Sequence, residues 1–144
     1  MEMKLTENFS LQEMCRTTHH VKNVPTPNAI KNLQALCKNV LQPLREYLGE
    51  PVVISSGYRC PKLNDLVGGV SNSQHMKGEA ADIRCSSYLY AKKIYTWIMD
   101  NCEFDQVILE NKAGKTYWVH VSYCLNGKNR NQAIVLGTKM YKKK

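Results

Sequence analysis

The hydrophobic periodicity of this 144-residue chain changes near residue 50, and the change indicates one class of fold. Before it, apolar residues recur at three- and four-residue steps, which predicts a long amphipathic helix. These residues are Ile30, Leu33, Leu36, Cys37, Val40, Leu41, Leu44 and Leu48. After it, short β-branched runs bounded by glycine-containing turns predict strands. Helices first and strands later is the pattern of an α+β protein.

Local signals predict where the elements begin and end. Thr26 and Pro27 are typical of a helix start. Pro43 predicts a kink in that helix, and Gly49 predicts its end. Ser86 or Ser87 begins a further helix, whose buried side is expected to carry Leu89, Tyr90, Ile94, Trp97 and Ile98. The predicted strands are 52–56, 80–84, 105–110, 117–123 and 132–136, with a short helical piece at 63–67.

The length suits one compact domain, and we expect it to cover residues 1–144. Its N-terminal helices are expected to pack on a small, mainly antiparallel sheet. The predicted parts are a helical region at about 5–49, a central core at about 51–125, and a last strand with a basic tail at about 126–144.

Composition argues against several classes of protein. No apolar run approaches the roughly 20 residues that cross a bilayer, and the first residues lack the apolar segment of a secretory signal. We therefore expect no membrane insertion and a protein that is cytoplasmic as synthesised. Six cysteines with no C-x-x-C pair argue against a structural zinc knuckle. Without a secretory signal, free thiols are favoured over disulfides.

The formal net charge of +8 favours an anionic partner without identifying it. Nucleic acid, acidic lipid and an anionic cell wall all fit this charge. Much of the excess lies near the C-terminus, in Lys128, Arg130, Lys139, Lys142, Lys143 and Lys144. A basic tail of this kind is usually a solvated end of the chain.

Two predicted strands place chemically active side chains near each other. Alternate side chains of a strand share a face. His120 therefore lies on one face of strand 117–123, and the apolar side chains of that strand lie on the other face. A turn containing Gly114 is expected to join this strand to 105–110 as a hairpin. In that arrangement Glu110 and His120 point into one cleft.

A second pair of residues lies earlier in the chain. His75 and Asp82 are seven positions apart and can converge if the chain turns at Gly78 and then enters a strand. Asp82 then lies mid-strand among small and apolar neighbours, where an unpaired carboxylate is costly. Metal coordination would stabilise it, and so would a salt bridge to Arg84 or Arg59.

Four blocks follow one another along the chain: Ser56-Gly57-Tyr58-Arg59, His75 to Asp82 with Gly78-x-Ala80-Ala81-Asp82, Phe104 to Glu110, and Trp118-Val119-His120-Val121-Ser122. Together they resemble the zinc D-alanyl-D-alanine peptidase family over roughly residues 5–137. That family includes bacterial carboxypeptidases, vancomycin-resistance dipeptidases and phage endolysins. It shares its fold with the hedgehog signalling domain, so the resemblance implies the same fold here.

By position, the resemblance implies one catalytic zinc held by His75, Asp82 and His120. Three protein ligands leave a fourth position open, which is the catalytic type of zinc site. The resemblance also implies that Glu110 is the catalytic base and that Arg59 binds a substrate carboxylate or the developing anion.

The resemblance further implies that Ser73 and Gln106 contact the substrate. One departure concerns the base. Many relatives place it three residues before the last histidine, where this chain has Tyr117. The hedgehog-like and phage-type branch instead carries it at the end of the preceding strand, where Glu110 stands. Asp105 is the alternative base.

These features predict a zinc-dependent peptidase that hydrolyses peptidoglycan stem peptides, as a D-alanyl carboxypeptidase or an endolysin-like endopeptidase. We expect a monomer that reaches the cell wall by a phage-type lysis route and does not bind nucleic acid. One rival is a zinc-containing cell-wall or protein-binding module without catalysis. The other is a nucleic-acid-binding protein, which rests on charge alone.

Overall fold

The computed structural model describes residues 2–136 and the backbone of residues 141–143. The elements in chain order are β1 (Lys4–Thr6), β2 (Phe9–Ser10), α1 (Leu11–Met14), α2 (Pro27–Leu36), a π-helical turn (Cys37–Leu41), α3 (Gln42–Leu48), β3 (Val53–Ser56), α4 (Pro61–Leu66), a 3-10 turn (Gln74–Lys77), β4 (Ala80–Cys85), α5 (Tyr88–Asn101), β5 (Gln106–Lys112), β6 (Thr116–Ser122), β7 (Gln132–Val135) and β8 (Tyr141–Lys143).

The predicted helix boundaries are confirmed by their capping contacts. The Thr26 hydroxyl accepts a hydrogen bond from the backbone N–H of Ala29 at 3.1 Å, and Pro27 is the first residue of α2. At the far end Gly49 has a φ of 69°, a left-handed conformation that glycine adopts without strain. Ser87 caps α5. Polar side chains at helix starts satisfy backbone donors that have no partner inside the helix.

The helix in which a kink at Pro43 is predicted contains a π-helical turn, Cys37–Leu41, which joins α2 to α3 just before this proline. Proline has no N–H and cannot supply the helical hydrogen bond at its own position. In the turn before it, the N–H of Gln42 donates to the carbonyl of Cys37, five residues back. The apolar stripe therefore continues through the disruption, and Val40 and Leu44 are both fully buried.

Within the described residues, six strands form one mixed sheet in the order β3-β4-β6-β5-β7-β8. All neighbouring strands are antiparallel except β5 and β7, which run parallel. The expectation of N-terminal helices on a mainly antiparallel sheet is confirmed. Two features were not predicted: the small ribbon of β1 and β2, and strand β8 in the basic tail. The predicted tail residues Lys139 and Lys144 lie outside the described residues.

One face of the sheet forms the hydrophobic core with α2, α3 and α5. Ile83 and Val119 from the sheet pack in one buried cluster with Leu33 and Ile94 from the helices. Full burial of such a side chain contributes about 1.5–3 kcal/mol relative to exposure. Because strand side chains alternate, the opposite face carries the polar residues of the same strands. That polar face holds the candidate site.

Helix α5 corrects one detail of the predicted buried side. Ile94 and Ile98 are fully buried as expected, but Leu89 is 74% exposed. At about 100° per residue, Ile98 lies about 40° from Ile94 around the helix axis, whereas Leu89 lies about 140° away. Trp97, expected in the core, is partly buried and stacks on Tyr47 with ring centroids 4.9 Å apart.

Gly78 holds the loop before β4 against α2. It ends the 3-10 turn with a φ of 75°. A Cβ at this position would overlap the backbone carbonyl of Ala29 in α2. The close approach and the left-handed conformation both require glycine, because any side chain adds strain and bulk.

We therefore predict that Gly78→Ala destabilises the protein more than Gly68→Ala. Gly68 is a matched control, with a φ of 74° and no atom within 4 Å of the place that a Cβ would occupy. The left-handed conformation costs each alanine about 1–2 kcal/mol, and the overlap at Gly78 adds about 1–3 kcal/mol. Urea unfolding of both variants measures the difference. Equal losses of stability would show that the contact with α2 is not tight.

Candidate metal centre

The register of the sheet brings two of the predicted site residues side by side. Asp82 on β4 lies directly opposite His120 on β6 and opposite Ser56 on β3. His120 in turn lies opposite Ile108 on β5. Facing residues on an antiparallel pair have Cβ atoms about 4.5–5.5 Å apart. The backbone pairing alone therefore places the carboxylate and the imidazole within contact distance.

His75 reaches the same point from the loop before β4. The Ser73 hydroxyl accepts a hydrogen bond from the His75 backbone N–H at 3.1 Å. The His75 carbonyl accepts one from the N–H of Arg59 at 3.0 Å. The His75 side chain is 5% exposed, and its Nδ1 donates to the Gly57 carbonyl at 2.7 Å. Since a carbonyl only accepts, Nδ1 carries the proton and Nε2 offers a lone pair towards Asp82.

The three side chains form a compact ligand set. Asp82 Oδ1 lies 3.5 Å from His75 Nε2 and 3.0 Å from His120 Nδ1. One ligand atom from each residue lies within 4.8 Å of the other two. Ligands about 2.0–2.1 Å from a tetrahedral zinc stand about 3.3 Å from one another, so the observed separations fit this ion. In the part of the chain that the structure describes, no other group of three such residues converges in this way.

The charge of Asp82 is stabilised by its neighbours. Burial alone would raise the pKa of Asp82, but the hydrogen bond with His120 and the proximity of His75 outweigh it and hold the pKa well below its usual range. The carboxylate is therefore ionised at neutral pH. An anionic oxygen between two imidazoles is a set of donors suited to a divalent cation such as zinc.

Arg59 is the arginine that approaches Asp82. Its Nη2 lies 3.7 Å from Asp82 Oδ2, while Nε donates to Ser56 Oγ and Nη1 to Asn64 Oδ1, each at 3.1 Å. Burial lowers the pKa of Arg59, and the charges of Asp82 and Glu110 oppose that effect. Arg84, the other predicted partner of Asp82, forms no ion pair among the described residues.

Glu110 lies on the same face of the sheet, one step away from the ligand set. It is opposite Trp118 on β6, two residues along β5 from the position that faces His120. Diagonal neighbours of this kind are about 7–8 Å apart. Burial raises the pKa of Glu110, although His120 and a hydrogen bond with Trp118 act in the opposite direction. Glu110 and His120 thus share a face of the sheet as predicted, but of the two only His120 lines the larger cleft described below.

A cleft of about 660 Å³ opens beside the ligand set, and His120 forms part of its wall. Ser73 and Gln106, the two residues predicted to contact a substrate, both line it. Ser73 is buried by its contact with the His75 loop, and the side-chain amide of Gln106 donates to Gln132 at 2.6 Å. Charged residues of both signs also line this cleft, namely Lys77, Glu79 and Arg130.

Asp105 has a different environment from Glu110. It is 1% exposed and accepts hydrogen bonds from Arg130 Nε at 2.9 Å and Nη2 at 2.7 Å. Gln74, the neighbour of His75 in sequence, donates to the same carboxylate at 3.0 Å. The hydrogen bond from Arg130 lowers the pKa of Asp105 to about 2 against the effect of burial. This clamp ties the cleft wall to β5 and to the His75 loop.

The Arg130 contact corrects the prediction of a simply solvated basic tail. Arg130 is 25 residues from Asp105 in sequence and belongs to no periodic pattern, so sequence reasoning had no signal for the pair. The Gly57 carbonyl that orients His75 was missed for a related reason. A backbone acceptor leaves no mark on residue type, although Gly57 stands inside the recognised block Ser56 to Arg59.

All six cysteines lie within the described residues and are free thiols, as predicted. None of them belongs to the ligand set. Burial raises the pKa of the Cys37 thiol to about 12 and that of Cys85 to about 11, which disfavours the thiolate. Among the described residues, no helix has both the length and the apolar content that crossing a bilayer requires.

The fold and the site define an α+β protein with a zinc-type His-Asp-His centre beside a cleft. The sequence profile of the Peptidase M15 family matches residues 7–122, and the chain belongs to that family. A 48-residue segment is 44% identical to the zinc D-Ala-D-Ala carboxypeptidase of Streptomyces albus G. The segment makes up 33% of this chain and 19% of that relative, so the match spans less than two thirds of the relative.

We predict that the Asp105–Arg130 clamp stabilises the fold in a pH-dependent way. Asp105→Asn loses charge-assisted hydrogen bonds, and we expect it to lower the free energy of unfolding by about 2 kcal/mol at pH 7. Asp105 has a depressed folded pKa of about 2, against an unfolded value near 3.9. Its contribution is therefore fully present above the unfolded value and is lost as the pH falls towards 2.

Urea unfolding between pH 2 and pH 7 measures this effect. The gap between wild type and Asp105→Asn should stay constant above about pH 5 and narrow below pH 4. Asp65→Asn, at an exposed position, controls for the loss of one carboxylate. A gap that does not change with pH would show that the ion pair does not supply the stability.

Proposed function

We propose that this protein is a zinc-dependent peptidase that hydrolyses peptidoglycan stem peptides at a bond next to D-alanine. The observation that carries the proposal is the convergence of His75, Asp82 and His120, which each place one ligand atom within 4.8 Å of the other two, beside a cleft that His120 lines. Membership of the Peptidase M15 family supports the reaction class. The name of the Streptomyces albus G relative, a zinc D-Ala-D-Ala carboxypeptidase, supports the substrate.

In this proposal His75, Asp82 and His120 hold one zinc ion. Zinc at such a site supplies Lewis-acid polarisation of a carbonyl and lowers the pKa of water towards 7. The protein keeps the ligands in place before the metal arrives, because the Gly57 carbonyl fixes the tautomer and the orientation of His75. Such outer contacts are an ordinary requirement for tight metal binding.

Glu110 is the proposed catalytic base. Its carboxylate takes the proton of the attacking water and delivers it to the amine that leaves when the peptide bond breaks. Burial raises the pKa of Glu110, which makes the carboxylate a stronger base than an exposed glutamate. Asp105 is less suited to this role, since Arg130 and Gln74 occupy its oxygens and its pKa is depressed.

Arg59 is the proposed anchor for a substrate carboxylate or for the negative charge that develops on the scissile carbonyl. Contacts to Ser56 and Asn64 keep its guanidinium beside the ligand set. Ser73 and Gln106 are proposed to contact the peptide in the larger cleft. The Ser73 oxygen already accepts from the His75 N–H, so its hydroxyl proton is directed to a further acceptor.

The net charge of +8 supports an anionic cell-wall polymer as the surface on which the enzyme works. Long-range attraction of this kind is screened by salt, over about 8–10 Å at physiological ionic strength. Attachment to whole cell walls is thus expected to weaken with salt more than cleavage of a small peptide. An endolysin-like role fits this behaviour and is part of the proposal.

We predict about one zinc per chain in the wild type and little zinc in His120→Ala. Removing one of three protein ligands weakens the site, because the two that remain cannot enclose the ion. His19→Ala is the matched control, since His19 is an exposed loop histidine. Elemental analysis after dialysis measures the metal. The ligand assignment fails if His120→Ala retains as much zinc as His19→Ala.

We predict that Glu110→Gln keeps its zinc but hydrolyses diacetyl-L-Lys-D-Ala-D-Ala about 100- to 10,000-fold more slowly than the wild type. Gln preserves the shape of the side chain and removes the base, and losses of this size follow. Glu103→Gln, at an exposed glutamate, is the control. Release of D-alanine measures the rate. Near-normal turnover by Glu110→Gln would move the role of base to another residue.

A further inference from the structure

A second cleft, of about 390 Å³, is lined by Arg59, the arginine that lies beside the ligand set. We call it the arginine cleft, because Arg16, Arg59 and Arg84 all line it. Arg59 belongs to both places: it lines this cleft, and its Nη2 lies 3.7 Å from Asp82. A group bound in the arginine cleft is therefore next to the proposed metal position.

The sheet fixes the position of Arg84 relative to the ligand set. Arg84 follows Asp82 by two residues on β4, so both side chains leave the same face of the sheet. Two residues along a strand correspond to about 6.6–6.8 Å. An extended peptide has nearly the same rise, so Arg84 stands one or two substrate residues away from a bond positioned at the zinc site.

The arginine cleft carries positive charges that no acidic residue of its described lining neutralises. Among the described residues that line it, none is an aspartate or a glutamate. Arg59 is partly offset by Asp82, whereas Arg16 and Arg84 form no ion pair in the part of the chain that the structure describes. Both are exposed. The rest of the lining is His19 together with hydroxyl groups and apolar side chains, among them Thr17, Ser55 and Val67.

This combination selects a particular ligand chemistry. Guanidinium groups bind carboxylates through paired, charge-assisted hydrogen bonds. The larger cleft carries both signs of charge and lacks this preference. The two clefts therefore differ in charge, and this difference would orient a bound peptide with its more anionic end in the arginine cleft.

We propose that Arg16 and Arg84 form a specificity subsite for a carboxylate that lies within two residues of the cleaved bond. The inference rests on the proposed peptidase function and adds two residues that do not take part in the chemistry. The carboxylate has two possible sources, the free C-terminus of the peptide or an acidic residue beside the bond. Both present the same group to the arginines.

Four peptides separate the two sources. Diacetyl-L-Lys-D-Ala-D-Ala carries a terminal carboxylate, and its C-terminal amide carries none. Two further C-terminal amides end in D-Glu or D-Gln in place of the last D-Ala, and they test an acidic residue alone. Steady-state kinetics and calorimetric binding are measured for the wild type, Arg16→Gln, Arg84→Gln, and the double variant. Lys92→Gln, at an exposed position on α5 outside both clefts, removes one charge elsewhere.

We expect each single substitution to raise KM or Kd for the acid peptides about twofold to fivefold, as exposed ion pairs are worth 0.2–1 kcal/mol. The double variant should show about a tenfold rise. The amide and D-Gln peptides should be unaffected, and kcat should change little. A preference for the terminal acid over the D-Glu amide identifies the C-terminus as the source, and the reverse identifies the acidic residue.

Equal effects on acid and amide peptides, or equal effects of Lys92→Gln, would overturn the subsite. The binding measurement separates this inference from the proposed function. If no peptide is hydrolysed but acid peptides still bind better and lose that advantage in Arg84→Gln, the subsite stands and the peptidase assignment fails. If peptides are hydrolysed with no dependence on their carboxylates, the peptidase stands and the subsite fails.

Discussion

The carboxylate of Asp82, on a side chain that is only 15% exposed, is the constraint on which the rest of the site depends. An ionised group in the middle of a sheet is stable only when charges or donors compensate its lost hydration. Here His120 supplies a hydrogen bond at 3.0 Å, and Arg59 supplies a positive charge nearby. Two neighbours of Asp82 are held in turn by further hydrogen bonds: His75 by the Gly57 carbonyl, and Arg59 by the side chains of Ser56 and Asn64. The arrangement that stabilises the ionised carboxylate also brings one ligand atom from each of three residues close together.

The division of the sheet into two faces turns this local arrangement into a functional surface. The helices cover the apolar face, so the polar face of β4, β5 and β6 is left beside two clefts. Glu110 and His120 share that face because the β5–β6 hairpin pairs in the register that alternation requires. A slip of one residue would send His120 into the core and remove the site. Packing and chemistry are therefore specified by the same hydrogen-bonded register.

Much of this was predictable from the sequence, and the failures have identifiable causes. Periodicity predicted the long helix, and alternation predicted the face shared by Glu110 and His120, because both depend only on local geometry. The choice between Arg84 and Arg59 as the partner of Asp82 depended on where a loop places its side chain, which spacing does not encode. The Asp105–Arg130 ion pair joins segments that are distant in sequence, and it could not be predicted for the same reason. The predictions of zinc and of the substrate came from the resemblance to a family, because residue patterns alone left both open.

The central claim is that the His-Asp-His centre works on the peptide part of the cell wall. Digestion of purified peptidoglycan sacculi by the zinc-loaded protein, followed by mass spectrometry of the released fragments, tests it most directly. We expect fragments with new ends at D-alanine in the stem peptides, and no such fragments after zinc is removed by a chelator. Intact stem peptides together with vigorous hydrolysis of an unfolded protein such as casein would contradict the claim.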